Sequence, residues 1–206
     1  MKLFLILLFV SPIFLNAQNL ETFKIYDHKK QEGNNLRVYA ENGLISLTAV
    51  KPNVIKLNFL TLPQLNPISN IDKEIYVRVT QNLDDIFMQT DSLLIIINKL
   101  DFSIKFENLR GKIYLTQKAF SFESNNDTID FLNKMPQSFY LKNRKLREKK
   151  YKFSGSKLIQ SDKGYSLSFC EDKKWNFEIK DSIMHFTKNA DKNLTFYFKK
   201  ESQINP

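Results

Sequence analysis

The sequence predicts an all-β protein, an antiparallel β-sandwich with little helix. Three observations carry that expectation. Apolar and polar residues alternate with period two in run after run, as strands with one buried face require. Short clusters of Asn, Asp, Gly, Pro and Ser separate the runs at a spacing of about 8–12 residues, the pattern of a sandwich or barrel. No long stretch carries the 3.6-residue periodicity of an amphipathic helix.

The chain opens MKLFLILLFVSPIFLNAQ: one lysine, an apolar run, then Asn16-Ala17 before a polar stretch. That is the layout of a signal peptide cut after Ala17, and the run is shorter than the ~20 residues of a membrane span. Residues 1–17 are therefore expected to be a signal peptide and 18–206 a single β-sandwich domain. Such a chain is secreted or periplasmic, with no membrane span after cleavage. It is long enough to bury a core without covalent staples.

Leu36-Arg37-Val38-Tyr39-Ala40 and Leu44-Ile45-Ser46-Leu47-Thr48 flank Glu41-Asn42-Gly43. An Asn-Gly pair between two such runs predicts a hairpin with positive φ at both turn residues. Lys51-Pro52-Asn53 turns the chain into a strand over 54–59, the proline starting the turn rather than interrupting a strand. Residues 60–72, with Pro63 and Pro67, read as a loop, and 74–80 as the next strand. The run 92–97 is apolar on both faces, the mark of a central strand. Residues 102–107 alternate, and Asn108-Leu109-Arg110-Gly111 turns them into a strand over 112–116.

In the last third, Ser161-Asp162-Lys163-Gly164 puts glycine where a turn needs a left-handed residue. The stretch SDKGYSLSFCEDKKWNFEI, residues 161–179, then reads as two strands joined by the charged turn 171–174. Tyr165, Leu167 and Phe169 form the core face of the first strand, and Trp175, Phe177 and Ile179 share a face of its partner. Strands over 183–186 and 194–198 complete the series.

Catalytic signatures are missing. Cys170 is the only cysteine, so no intramolecular disulfide forms, and no histidine stands near it in sequence to activate a thiol. His28 and His185 are the only histidines, and neither has a second ligand at metal-site spacing. No nucleophile elbow, phosphate loop or zinc-protease helix appears, and no cofactor is expected. Adjacent acids such as Asp84-Asp85 and Glu171-Asp172 sit on turns, whereas paired catalytic carboxylates face each other across a cleft. The formal net charge is +9, but lysines are scattered among acids and asparagines over most of the chain. In an exported protein this does not point to nucleic acid.

One segment departs from the pattern. LKNRKLREKKYK, residues 141–152, carries seven lysines and arginines against the single acid Glu148 and reads as a short helix or a solvated loop. With Phe139, Tyr140 and Tyr151 beside it, it could hold an acidic or sugar ligand. Tyr140 and Arg144 are the candidate contacts there. Trp175 is a third candidate, as a stacking platform for sugar, although its apolar neighbours favour core packing.

The order of these features resembles the N-terminal β-sandwich of glycoside hydrolase family 31. NLRVYAENGLISLTAVKPNVIKLNFL is similar to the opening hairpin and strand of that domain, and QTDSLLIIINKLDFSIKFENLRGKIYLTQ to its next block. SDKGYSLSFCEDKKWNFEI resembles a later strand pair, with Gly164, Tyr165, Leu167, Phe169 and Asp172 matching. NLTFYFKK is similar to the strand that precedes the catalytic barrel.

The resemblance implies a galactose-mutarotase-like sandwich, joined in the family to a (β/α)8 barrel that cleaves or transfers α-glycosidic linkages with two aspartates. The family's W-x-D-M-N-E nucleophile motif is absent, Trp175 standing in Lys174-Trp175-Asn176-Phe177 instead. The sequence reaches Pro206 where that barrel would begin, and the Gly-rich stretch expected near 130–134 has no glycine. The expectation is a secreted, non-catalytic, carbohydrate-associated module, stand-alone or a truncated remnant. Its expected partners are an α-glucan or another glycan, or a separate catalytic subunit. The alternative is a periplasmic or cell-surface interaction protein that kept the fold without binding sugar.

Overall fold

A computed structural model describes residues 21–61, 75–122, 126–132, 138–169, 174–180, 183–189 and 193–201. The expected signal peptide, Cys170, the turn residues 171–173 and the proline loop over 62–72 lie outside them. Among the described residues there is no helix, and strands follow one another throughout. The first five are β1 (Glu21–Thr22), β2 (Tyr26–Glu32), β3 (Asn35–Ala40), β4 (Gly43–Lys51) and β5 (Val54–Thr61). Then come β6 (Arg78–Gln81), β7 (Asp85–Gln89), β8 (Leu94–Asn98), β9 (Ile104–Glu107), β10 (Ile113–Phe122) and β11 (Asn126–Leu132). The last third holds β12 (Phe139–Leu141), β13 (Arg144–Lys145), β14 (Lys150–Ser154) and β15 (Lys157–Ser161). It ends with β16 (Tyr165–Phe169), β17 (Lys174–Lys180), β18 (Ile183–Asn189) and β19 (Asn193–Lys200).

These strands build two antiparallel sheets. One runs β14-β17-β18-β11-β10-β9-β8-β7-β6, with β1 added on β10; the other runs β13-β12-β15-β16-β19-β5-β4-β3-β2. The apolar faces meet in one core, and aromatic pairs span it. Phe106 of β9 stacks on Phe198 of β19 at 4.3 Å between ring centres, and Phe186 of β18 on Phe169 of β16 at 4.5 Å. All four are fully buried. Each such side chain stabilises the fold by about 1.5–3 kcal/mol. The strand read as central, β8, lies between β7 and β9 with Ile95 and Ile97 in the core.

The stretch 161–179 differs from its reading as a hairpin. β16 pairs with β15 and β19 in one sheet, whereas β17 pairs with β14 and β18 in the other. The chain changes layers between Phe169 and Lys174. Both strands carry large apolar side chains on one face, and placing them in opposite layers brings those faces together. Phe169 lies 5.3 Å from Trp175 across the core. The core assignments of Tyr165, Leu167, Phe169, Phe177 and Ile179 agree with their burial.

The Asn-Gly turn also differs. Ala40 pairs with Gly43 across a two-residue turn, yet neither Asn42 nor Gly43 has positive φ. Asn42 instead clamps the preceding segment. Its Nδ2 donates to the Thr22 carbonyl at 2.7 Å, and its Oδ1 accepts from the Lys24 N–H at 2.9 Å. Gly43 is needed for space: a Cβ there would meet the Phe23 ring and lie 2.5 Å from the Leu60 carbonyl oxygen. Farther on, the expected strand at 74–80 begins only at Arg78.

Candidate functional site

The basic segment 141–152 is neither a helix nor an unstructured loop. Its first part is a β-hairpin, β12 paired with β13, with Leu141 opposite Arg144. The two turn residues, Lys142 and Asn143, have φ of 49° and 64°. Two consecutive left-handed residues match the right-handed twist of a hairpin, so this is where the primed-type turn stands. Two apolar anchors hold it. Phe139 is buried, and Leu146, surrounded in sequence by cations, is buried as well. The Leu146 N–H donates to the Phe139 carbonyl at 2.7 Å.

Beyond Leu146 the chain passes to the other sheet. Lys150 begins β14, and the Ile179 N–H of β17 donates to the Lys149 carbonyl at 3.3 Å. The crossing residues are fixed by Tyr151. Its phenol oxygen accepts the Arg147 N–H at 2.7 Å and donates to the Arg147 carbonyl at 3.0 Å.

Between the hairpin and this crossing lies a surface hollow of about 710 Å³. Leu141, Leu146 and Tyr151 supply its apolar surface, and Arg144, Lys145, Arg147 and Lys149 its charge. All four cations are exposed. Among the described residues none of them is in an ion pair. Lys149 Nζ stands 5.1 Å from the centre of the Tyr151 ring, a cation–π contact. Tyr151 also stacks on Phe153, with ring centres 5.9 Å apart, so its ring already has partners.

The three candidate residues separate. Arg144 lines the hollow. Tyr140 is half-buried and pairs in register with Lys145 and Gln160, on the opposite face of β12 from Leu141, and it does not line the hollow. Trp175 is 1% exposed, which corrects its reading as a stacking platform for sugar. Its indole N–H donates to the Gly155 carbonyl at 3.1 Å, and its ring packs 4.8 Å from Phe153 and 4.9 Å from Phe186. The candidate set omits three of the four cations that line the hollow, Lys145, Arg147 and Lys149. The density of charge at 142–152 is legible in the sequence, but that these residues border one hollow is not.

His185 lies elsewhere, on the outer face of the first sheet. Its Nδ1 is 2.7 Å from Asp130 Oδ1, and Glu178 flanks it in register on the next strand. Among the described residues no group of three His, Cys, Asp or Glu is placed to hold a metal ion.

No family model matches the chain, and no curated protein matches it. Solved structures do. A dextranase of glycoside hydrolase family 31 from Flavobacterium johnsoniae, solved with isomaltotriose, matches with a TM-score of 0.74 at 15% identity over 88% of this chain. The cycloalternan-forming enzyme from Listeria monocytogenes, solved with a pentasaccharide substrate, matches with a TM-score of 0.76 at 11% identity over 88% of the chain. A family 31 α-xylosidase from a soil metagenome gives 0.70 at 9% identity over 85%. The chain covers 27%, 21% and 32% of those three structures respectively, a fifth to a third of their length. The β-sandwich fold is therefore shared with part of these enzymes.

Proposed function

We propose that this protein is an exported, non-catalytic, carbohydrate-associated β-sandwich module. The observation that carries the reading is the fold, shared over 88% of the chain with part of a dextranase that was solved with isomaltotriose. Fold alone hosts many functions, so the reading to sugar is one of analogy. The hollow beside Arg144 supports it as a place where a ligand would sit. In this reading the module holds a glycan, alone or beside a separate catalytic subunit, and breaks no bond.

The test is affinity electrophoresis of the full chain in gels carrying a panel of neutral and acidic polysaccharides, dextran among them. Retarded migration with at least one glycan is the expected result. Retardation by none would remove the reading, and release of glucose from isomaltotriose or xylose from xylosides would overturn its non-catalytic part.

A second reading, an interaction protein of the periplasm or cell surface, is favoured by the four exposed cations of the hollow. Charge reversal at Lys145, Arg147 and Lys149 would then abolish capture of a protein partner. Unchanged capture would place the contact on another surface.

A further inference from the structure

We infer that the hollow between β13 and β14 is built for an acidic glycan, one bearing uronate or sulfate groups, rather than for a neutral one. The inference rests on the glycan-binding reading above and narrows its ligand class. It follows from what the lining side chains can and cannot do.

Arginine and lysine side chains only donate hydrogen bonds; they offer no acceptor. The side chains of the four cationic residues in the lining, Arg144, Lys145, Arg147 and Lys149, therefore bring donors and no acceptor. Tyr151, whose hydroxyl could do both, is committed at both its proton and its oxygen to the Arg147 backbone. The nearby acid, Glu148, is not part of the lining. A neutral sugar hydroxyl both donates and accepts, so a lining of donors satisfies half of it. A carboxylate or sulfate only accepts, and a guanidinium fork meets it with two parallel bonds.

Stacking does not rescue the neutral ligand. The aromatic residue of the lining, Tyr151, holds the Lys149 ammonium 5.1 Å from its ring centre, so a sugar on that face would compete with the cation. Tyr140 lies outside the hollow and Trp175 in the core.

The geometry completes the case. The turn at Lys142 and Asn143, the buried Leu146 and the Tyr151 bonds fix the backbone under the cations before any ligand arrives. With no ion pair among the described residues to compete, that charge is available to a ligand. The volume of about 710 Å³ is within the usual range for a ligand site, about 300–1,000 Å³.

The experiment measures binding of the full chain to oligogalacturonate, to a sulfated dextran oligomer and to neutral isomalto-oligosaccharide by calorimetry at two salt concentrations. Poly-glutamate and phosphatidylglycerol vesicles serve as non-glycan polyanions. The double variant Arg144→Gln/Arg147→Gln is compared with Lys51→Gln/Lys118→Gln, which removes the same charge from exposed positions elsewhere. All are surface changes, and circular dichroism confirms folding.

We expect at least one acidic oligomer to bind more tightly than the neutral one, with affinity falling as salt rises. The arginine variant should lose tenfold or more, and the lysine variant less than threefold. Equal, salt-insensitive binding of the neutral oligomer would overturn the inference while leaving the glycan-binding reading intact. Binding of poly-glutamate or vesicles as tightly as the acidic oligomers would overturn it in favour of a general polyanion surface. Equal losses in the two double variants would move the site elsewhere. Binding of none of the three glycans would remove both this inference and the reading beneath it.

Discussion

Tyr151 and Arg147 close a ring on each other: the phenol oxygen takes the Arg147 N–H at 2.7 Å and gives its own proton to the Arg147 carbonyl at 3.0 Å. One side chain thus satisfies both polar groups of a residue at the point where the chain leaves one sheet for the other. Without it, those groups would turn to water and the cations beside them would lose a fixed frame.

Replacing Tyr151 with Phe keeps the ring stacked on Phe153 and removes both bonds. These groups are partly solvated, so the cost to stability is small, about 0.5–1 kcal/mol. Local order should suffer more than global stability. Amide hydrogen exchange at Arg147 is expected to accelerate while the core strands keep their protection, and affinity for acidic glycan should fall several-fold. Unchanged exchange at Arg147 would show that the ring does not hold the crossing.

Trp175 tests the core. Trp175→Ala deletes a fully buried aromatic wedged between Phe153, Phe169 and Phe186 and should cost about 3–5 kcal/mol in urea denaturation. Trp175 is also the only tryptophan, so its emission reports one site. That emission should be blue-shifted in the folded chain and unmoved by any saturating glycan. A quench or shift on glycan binding would bring the ligand next to Trp175 after all.

Gly43→Ala probes a close approach rather than a turn. The added methyl would meet the Phe23 ring and the Leu60 carbonyl, and backbone carbonyls in a sheet cannot swing aside. Overpacking of this kind costs about 1–3 kcal/mol. The urea midpoint should drop accordingly; no change would show that β4 and β5 can spread at that end.

The 142–143 turn should respond in the opposite direction. Lys142 and Asn143 both hold left-handed conformations, which cost non-glycine residues roughly 1–2 kcal/mol each, with asparagine at the low end. Lys142→Asn/Asn143→Gly writes in the pair that such turns prefer. The expected gain is about 1 kcal/mol, read as a higher urea midpoint with no change in secondary structure.

Gln117 offers a further stability test. It is fully buried in β10, at the register shift against β11, and among the described residues neither amide atom has a hydrogen-bond partner. A buried amide left unpaired costs about 1–3 kcal/mol. Gln117→Met keeps the length and removes the polar atoms, so it should stabilise the fold by about 1–2 kcal/mol. A loss of stability would mean that the amide finds a partner in solution.

The strands that alternate cleanly were legible because burial on one face of a sheet imposes period two. The pattern at 165–169 names its own core face, and so does the pattern at 175–179. The partners of those strands were not legible. Two adjacent strands joined by a short charged turn look alike whether they pair edge to edge or face each other across a core. Phe169 and Trp175 do the second because the two faces are equally apolar. The edge strands β2 and β13 were missed, since at sheet edges charge replaces alternation and pairing alone holds them, and β7, β11, β12, β14 and β15 were not read as strands either.

The turns divide in the same way. Gly111 and Gly164 have positive φ where the turn chemistry placed glycine, whereas the Asn42-Gly43 pair does not. Gly43 is glycine because of Phe23 and Leu60, which are distant in sequence. By itself, then, the sequence determined the class of fold, most of the strands, and the density of positive charge at 142–152, all consequences of local composition and periodicity. Only the tertiary structure decided which sheet each strand joined, that Trp175 is core, and that Arg144, Lys145, Arg147 and Lys149 surround one hollow. Those depend on which faces pack together, and packing between residues far apart along the chain leaves no local trace.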